Sequence, residues 1–252
     1  MIIIKNKLLA IVLIVVCLVS TCSAEELREI TQEIVQEVPE QIQEVLDLAY
    51  AEWKKTDGME MHMSNKYTKW RTDSNIGWCG AFVTWCMLEC GVPQKDKNHI
   101  QKGEVADGIV HVKEAGVGKL YTGYEKMNRI TNIPQKGFVV VFGNGKQFHD
   151  IGITAYYHVG IVYDAVKLDE GKYRITTIEG AVSSPGDEER KRAGYTIRMY
   201  TRDYDMNARI YDNTTLVPEE ERTEKESGLF SYDYTYGNEH LYIKTFLMPW
   251  IP

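Results

Sequence analysis

No apolar stretch in this 252-residue chain is long enough to cross a bilayer. The longest, residues 8–19, falls well short of the roughly 20 residues a spanning helix needs. It follows Lys5 and Lys7 and precedes the small residues Cys22-Ser23-Ala24. That order is the pattern of a secretory signal peptide, with an uncleaved anchor as the other reading. Cysteine is also scarce. Removing the leader takes Cys17 and Cys22 and leaves Cys79, Cys86 and Cys90. An odd number leaves at least one thiol free and excludes a disulfide scaffold. Positive charge is in deficit, with 29 basic against 36 acidic residues and a net charge of −7. No basic block of useful length occurs, and the mixed run at 188–192 reads as a solvated loop. A general attraction to nucleic acid or to an anionic membrane is therefore excluded. No close Cys/His spacing suggests zinc. Asp203-x-Asp205-x-Asn207 opens like a calcium loop, but Ala208 replaces the required glycine and Thr214 the closing glutamate. No metal and no cofactor is expected. Internal repeats and low-complexity tracts are absent.

What is present centres on residues 77–91, a mostly apolar run that predicts a helix beginning at Cys79 and stopped by Gly91, with Pro93 beyond. A cysteine in a first helical turn faces unpaired backbone N–H groups and the positive end of the helix dipole. Both favour the thiolate, which is the nucleophile. Cys86 and Cys90 would lie about 10 and 16 Å further along the axis, too far to bridge to Cys79. Both read as small buried apolar groups. Trp78 and the glycines Gly77 and Gly80 are costly at a helix start unless backbone must approach a ligand. Trp78 and Gly80 are accordingly read as substrate contacts.

Further along, residues 156–164 read as a strand carrying His158, and residues 172–179 as a strand ending in Glu179. Asp169-Glu170-Gly171 is a plausible hairpin turn between them. Pairing Leu168 with Gly171 sets Glu179 opposite Gly160 and diagonal to His158, whereas a one-residue slip would turn Glu179 to the wrong face. Cysteine, histidine and carboxylate in this order are the parts of a thiol hydrolase. Of the other histidines, His62, His99, His111 and His240 read as solvated, and His149, in the loop before the strand, is the competitor.

These residues also carry a resemblance. Residues 78–86, then His158-Val159-Gly160-Ile161-Val162, then Ile178-Glu179-Gly180, resemble the three signature blocks of the CHAP family. That family comprises cysteine, histidine-dependent amidohydrolases and peptidases, most of which cut bacterial peptidoglycan. Residues 65–70 are similar to a segment preceding the cysteine in some secreted members. The related NlpC-type peptidases usually have aspartate before the cysteine and serine after it, so Trp78 and Gly80 favour CHAP. Two departures stand out: Phe138 where the family usually has aspartate, and Ala181 where it often has asparagine. The resemblance implies an α+β, papain-like fold, with the nucleophile at a helix N-terminus packed on an antiparallel sheet. It implies Cys79, His158 and Glu179 as the catalytic set and peptidoglycan as the partner.

The chain accordingly divides into a signal peptide (1–24), a helical extension (25–44), a catalytic domain (45–200) and a C-terminal extension (201–252) packed on it. Within the rest, residues 25–55 show helical periodicity broken at or opened by Pro39. Residues 59–70 either line a groove or pack on the cysteine helix. Residues 103–115 read as a short helix, and residues 116–123 as a turn, a short strand and another turn. Strands are expected at 138–142, 195–200 and 241–247. The expected activity is cleavage of an amide bond in peptidoglycan, outside the cell or in the wall of a bacterium. A secreted peptidase or toxin acting on protein, and a non-catalytic wall-binding domain, are the alternatives. Glu179→Gln is expected to lower turnover and leave folding intact.

Overall fold

The computed structural model describes residues 34–252, except 36, 57–58, 60, 63, 72–76, 145–155, 184–194, 206–209, 212–214, 217–228 and 237–238. The leader, the 57–58 turn, the 188–192 run, His149 and most of the calcium-like segment lie outside the described residues. Residues 34–251 form one compact unit. Among the described residues, no helix is long and apolar enough to cross a membrane.

Helix α1 (Glu40–Thr56) opens directly after Pro39, whose carbonyl accepts from the amides of Ile42 and Gln43. Proline lacks an N–H but keeps its carbonyl, so it suits a helix start. Ile42, Val45, Leu46 and Ala49 form its buried stripe. This helix runs through the 44/45 boundary expected from sequence. A 3-10 turn (Lys66–Thr68) is held by a capping box between Asn65 and Thr68. Helix α2 (Cys79–Glu89) begins at the cysteine and ends before Gly91, whose φ of +67° few residues but glycine adopt readily. Helix α3 (Val117–Lys126) replaces the expected turn and strand, and residues 103–115 contain no helix. Val117, Leu120 and Tyr124 form the buried stripe of α3. Gly116, Gly118 and Gly123 disguised that stripe as punctuation. Val112, instead of lying on a helix, pairs in a parallel two-residue bridge with Lys95.

Seven strands form an antiparallel sheet: β1 (Ile130–Thr131), β2 (Val139–Asn144), β3 (Tyr156–Asp169), β4 (Lys172–Ser183), β5 (Tyr195–Asp205), β6 (Leu229–Tyr236) and β7 (Glu239–Leu247). Their order is β6-β5-β4-β3-β2-β7-β1, and β6 also pairs with β7, which closes six strands on themselves. The fold is therefore α+β, with a papain-like antiparallel sheet bearing a cysteine helix. Alternate residues divide the sheet into two cores, as the pleat requires. Val139, Val141, Val159, Ile161, Ile178 and Ile197 join α2 and α3 in one core. Phe138, Val140, Phe142, Val162, Ile175 and Phe246 build the other. Full burial of one such side chain contributes about 1.5–3 kcal/mol.

The β3–β4 register matters most. Ile161 pairs with Ile178 and Val162 with Thr177, which is the predicted register at this end. At the turn the pairing is Asp169 with Lys172, a register two residues away from that of Leu168 with Gly171. Irregularities between Val162 and Asp164 and between Lys167 and Asp169 absorb the difference. A bulge consumes an extra residue on one strand without turning the rest of the strand over.

Candidate active site

Cys79 is the first residue of α2. Trp78 occupies the N-cap position and makes no side-chain capping bond. The first-turn amides therefore remain available to negative charge. Cys79 as a residue is 7% exposed, so it is nearly enclosed. Burial alone would push its pKa up. The charge and hydrogen bond of His158, with the backbone amides of Val159 and Gly80, override burial and hold it below the ordinary thiol value. Val159 lies two residues beyond the last β3–β4 pair, Ile161–Ile178, so that pairing does not claim its amide.

His158 lies on β3, its ring stacked on Phe142 of β2 at 5.8 Å. Its Nε2 stands 3.0 Å from Oε2 of Glu179, which leaves Nδ1 as the nitrogen toward the thiol. Burial would favour the neutral ring. The adjoining thiolate and the Glu179 carboxylate outweigh it and raise the pKa to about 9. Cysteine down and histidine up is the signature of a thiolate–imidazolium pair. Gly160 makes the Glu179 approach possible, because a Cβ there would lie 2.5 Å from Cγ of Glu179.

Glu179 is fully buried. Burial pushes its pKa up. The Arg202 guanidinium, then His158, pull it down to about 2. Arg202, which sequence reasoning missed, donates from Nη1 to Glu179 Oε1 at 2.7 Å and to Thr177 Oγ1 at 3.0 Å. Its only sequence signal was an arginine on a strand next to that of Glu179, inside what read as a polar tail. Ala181, where asparagine was expected, has φ +59°. Asparagine tolerates that left-handed conformation better than alanine does.

The two residues read as substrate contacts flank Cys79 and are packed against the protein's own interior. Trp78 is fully buried, stacked on Tyr67 at 5.4 Å and edge-on to Phe82, so its ring is packing and not a groove wall. Gly80 exists for close approach: a Cβ there would lie 2.2 Å from the carbonyl oxygen of Ala115. Its amide supports the thiolate. Tyr67 is likewise buried, among Trp78, Phe82 and Trp85, so residues 65–70 pack on the cysteine helix. His111, expected to be solvated, is fully buried between Thr84 (2.9 Å) and the Tyr124 hydroxyl (2.8 Å). Burial lowers its pKa to about 3, which keeps it neutral. Cys90 is half-buried, not enclosed like Cys86. Asp203 of the calcium-like segment forms a two-point pair with Arg174 at 2.6 Å. Among the described residues no group of three His, Cys, Asp or Glu side chains converges as a metal site.

The family model of the CHAP domain matches residues 70–181. This segment is a CHAP domain. Comparison with curated proteins and with solved structures returned no match. CHAP domains are typically hydrolases, amidases or peptidases that act on peptidoglycan, and at that level the chain is a hydrolase. The match places Cys79, His158 and Glu179 inside the CHAP domain and Arg202 beyond its end.

The three thiols should differ sharply in reactivity. In a short iodoacetamide pulse near neutral pH, Cys79 should be labelled first. Burial and the carboxylates of Glu44, Glu89 and Asp47 push Cys90 up to about 11, so it should follow slowly. Cys86, enclosed and pushed up by burial, should react only after unfolding. Peptide mapping reads the order, and fast labelling of Cys90 with Cys79 spared would overturn it.

Proposed function

We propose that the protein is an exported cysteine hydrolase that cleaves an amide bond in peptidoglycan. The observation that carries this is one line of contacts: a thiol at an uncapped helix start, bonded to His158, whose Nε2 meets Glu179 at 3.0 Å. Sγ of Cys79 attacks the scissile carbonyl carbon and forms a thioester. The C–N bond breaks, and the amine leaves with the proton held by His158. Water, deprotonated by His158, then releases the acid and restores the thiol. Oxyanion charge falls on the Cys79 amide and a neighbouring donor. Glu179 orients the imidazole and stabilises its charged form. The CHAP match supports the substrate class, and the leader pattern of residues 1–24 supports export.

The test is mass spectrometry of fragments released from purified walls by the mature protein, whose own first residue should lie near Glu25. An amidase frees the L-alanine amine from the sugar, and an endopeptidase splits the stem or its cross-bridge. Hydrolysis of proteins with walls left intact would favour the secreted peptidase instead. A protein whose Cys79 alkylates rapidly but which cuts neither would sink the substrate reading and leave the chemistry standing.

A further inference from the structure

The carboxylate of Glu179 is divided between two tasks. Its Oε2 meets His158. Its Oε1 accepts from Arg202 at 2.7 Å and from the Thr177 hydroxyl at 2.5 Å. The Arg202 side chain is 3% exposed, a costly place for a charge unless it is paired. Its guanidinium also lies 4.3 Å from the Tyr200 ring centre and 5.4 Å from that of Phe142. Phe142 is the ring on which His158 stacks. One arginine thus touches the carboxylate, the hydroxyl that steadies it, and the aromatic floor under the imidazole.

We propose that Arg202 is a positioning residue: it fixes Glu179 as an ionised acceptor aimed at His158, completing a buried row of alternating charge from Cys79 to Arg202. The proposal rests on the Cys79–His158–Glu179 reading above. The row is thiolate, imidazolium, carboxylate, guanidinium, and its charges sum to zero. Without the guanidinium, a fully buried carboxylate and thiolate would share a single imidazolium. The cheapest relief is a proton on Glu179, which removes the charge that stabilises the imidazolium. Two other titratable or charged groups lie close to Glu179. Tyr200 is held neutral to about pH 12 by burial and by Glu179 itself. Arg198 stands opposite Glu179 in the β4–β5 pairing, while Oε1 accepts from Arg202 and Thr177.

The experiment is the pH profile of Cys79 alkylation, which needs no substrate, in wild type, Arg202→Met and Arg202→Lys. Circular dichroism confirms folding first. In Arg202→Met the acid limb should move up by about one to two pH units, which is roughly five- to fifty-fold slower alkylation at the wild-type midpoint. Arg202→Lys should return most of the shift, since it restores the charge without the planar fork. A folded Arg202→Met protein with the wild-type limb would show that Arg202 only packs. Should Arg202→Met not fold, the wild type decides. The 13C resonance of the Glu179 carboxyl should stay at its ionised position down to about pH 4, and a titration centred on the ordinary value of 4.5 overturns the proposal. A wild type whose Cys79 alkylates no faster than a plain thiol overturns the Cys79–His158 reading and this proposal with it. Fast wild-type alkylation with an unmoved Arg202→Met limb overturns this proposal alone.

Discussion

Cys79→Ala should fold as the wild type does and release no wall fragments. Losing a hydrolytic nucleophile costs on the order of 10⁶-fold in turnover. Losing one buried sulfur at a helix start costs about 1 kcal/mol of stability, because alanine suits a first helical turn. His158→Ala should match it in activity for a different reason. With the imidazolium gone, burial governs Cys79 and pushes its thiol up, so rapid alkylation near neutral pH should disappear as well. Fragment release and an iodoacetamide pulse on the same preparations separate the two roles. Undiminished wall hydrolysis by Cys79→Ala would remove the nucleophile from this account.

Glu179→Gln should cost both turnover and stability. Sequence alone predicts that folding survives, since it sees a carboxylate at a strand end. The structure corrects this, because Glu179 is fully buried and holds the equally buried Arg202. Removing one partner of such a pair leaves an uncompensated charge and costs roughly 3–5 kcal/mol. Urea denaturation at pH 7 should show a lower midpoint at unchanged slope. The carboxyl's folded pKa of about 2 lies below its ordinary 4.5, so its contribution is complete above pH 4.5 and fades as pH falls toward 2. The gap between wild type and variant should therefore narrow in acid. The double change Glu179→Leu with Arg202→Met, which removes both charges, should regain much of the stability and none of the activity. Equal midpoints for wild type and Glu179→Gln would refute the pairing.

The local parts of the site were legible because local rules govern them. The α2 limits follow from an apolar run ended by Gly91. The facing of His158 and Glu179 follows from strand parity and the room at Gly160. The details of the turn were not legible: two irregularities in β3 shift the pairing from Leu168–Gly171 to Asp169–Lys172, and no residue type announces them. Helix α3 was hidden by Gly116 at its N-cap and by Gly118 and Gly123 within it. His111 looked solvated because its partners, Thr84 and Tyr124, come from two separate helices. Arg202 was missed for a similar reason. Its partner lies 23 residues upstream, across a strand pair whose register no short motif encodes. The packing roles of Trp78 and Gly80 were not legible, because a costly residue at a helix start can serve the protein's own packing as well as a ligand.

The closure of the sheet bears on how this domain can be recombined with others. Strand β7 pairs along β2, which neighbours the histidine strand, and β5 supplies Arg202. The last strands of the chain are thus woven into the same sheet as the nucleophile's partners. A cassette excised at residue 181, where the family match ends, would leave Glu179 facing an open edge. A chimera built to transplant this site must carry the segment through β7, and grafts onto other modules belong outside the 34–251 unit.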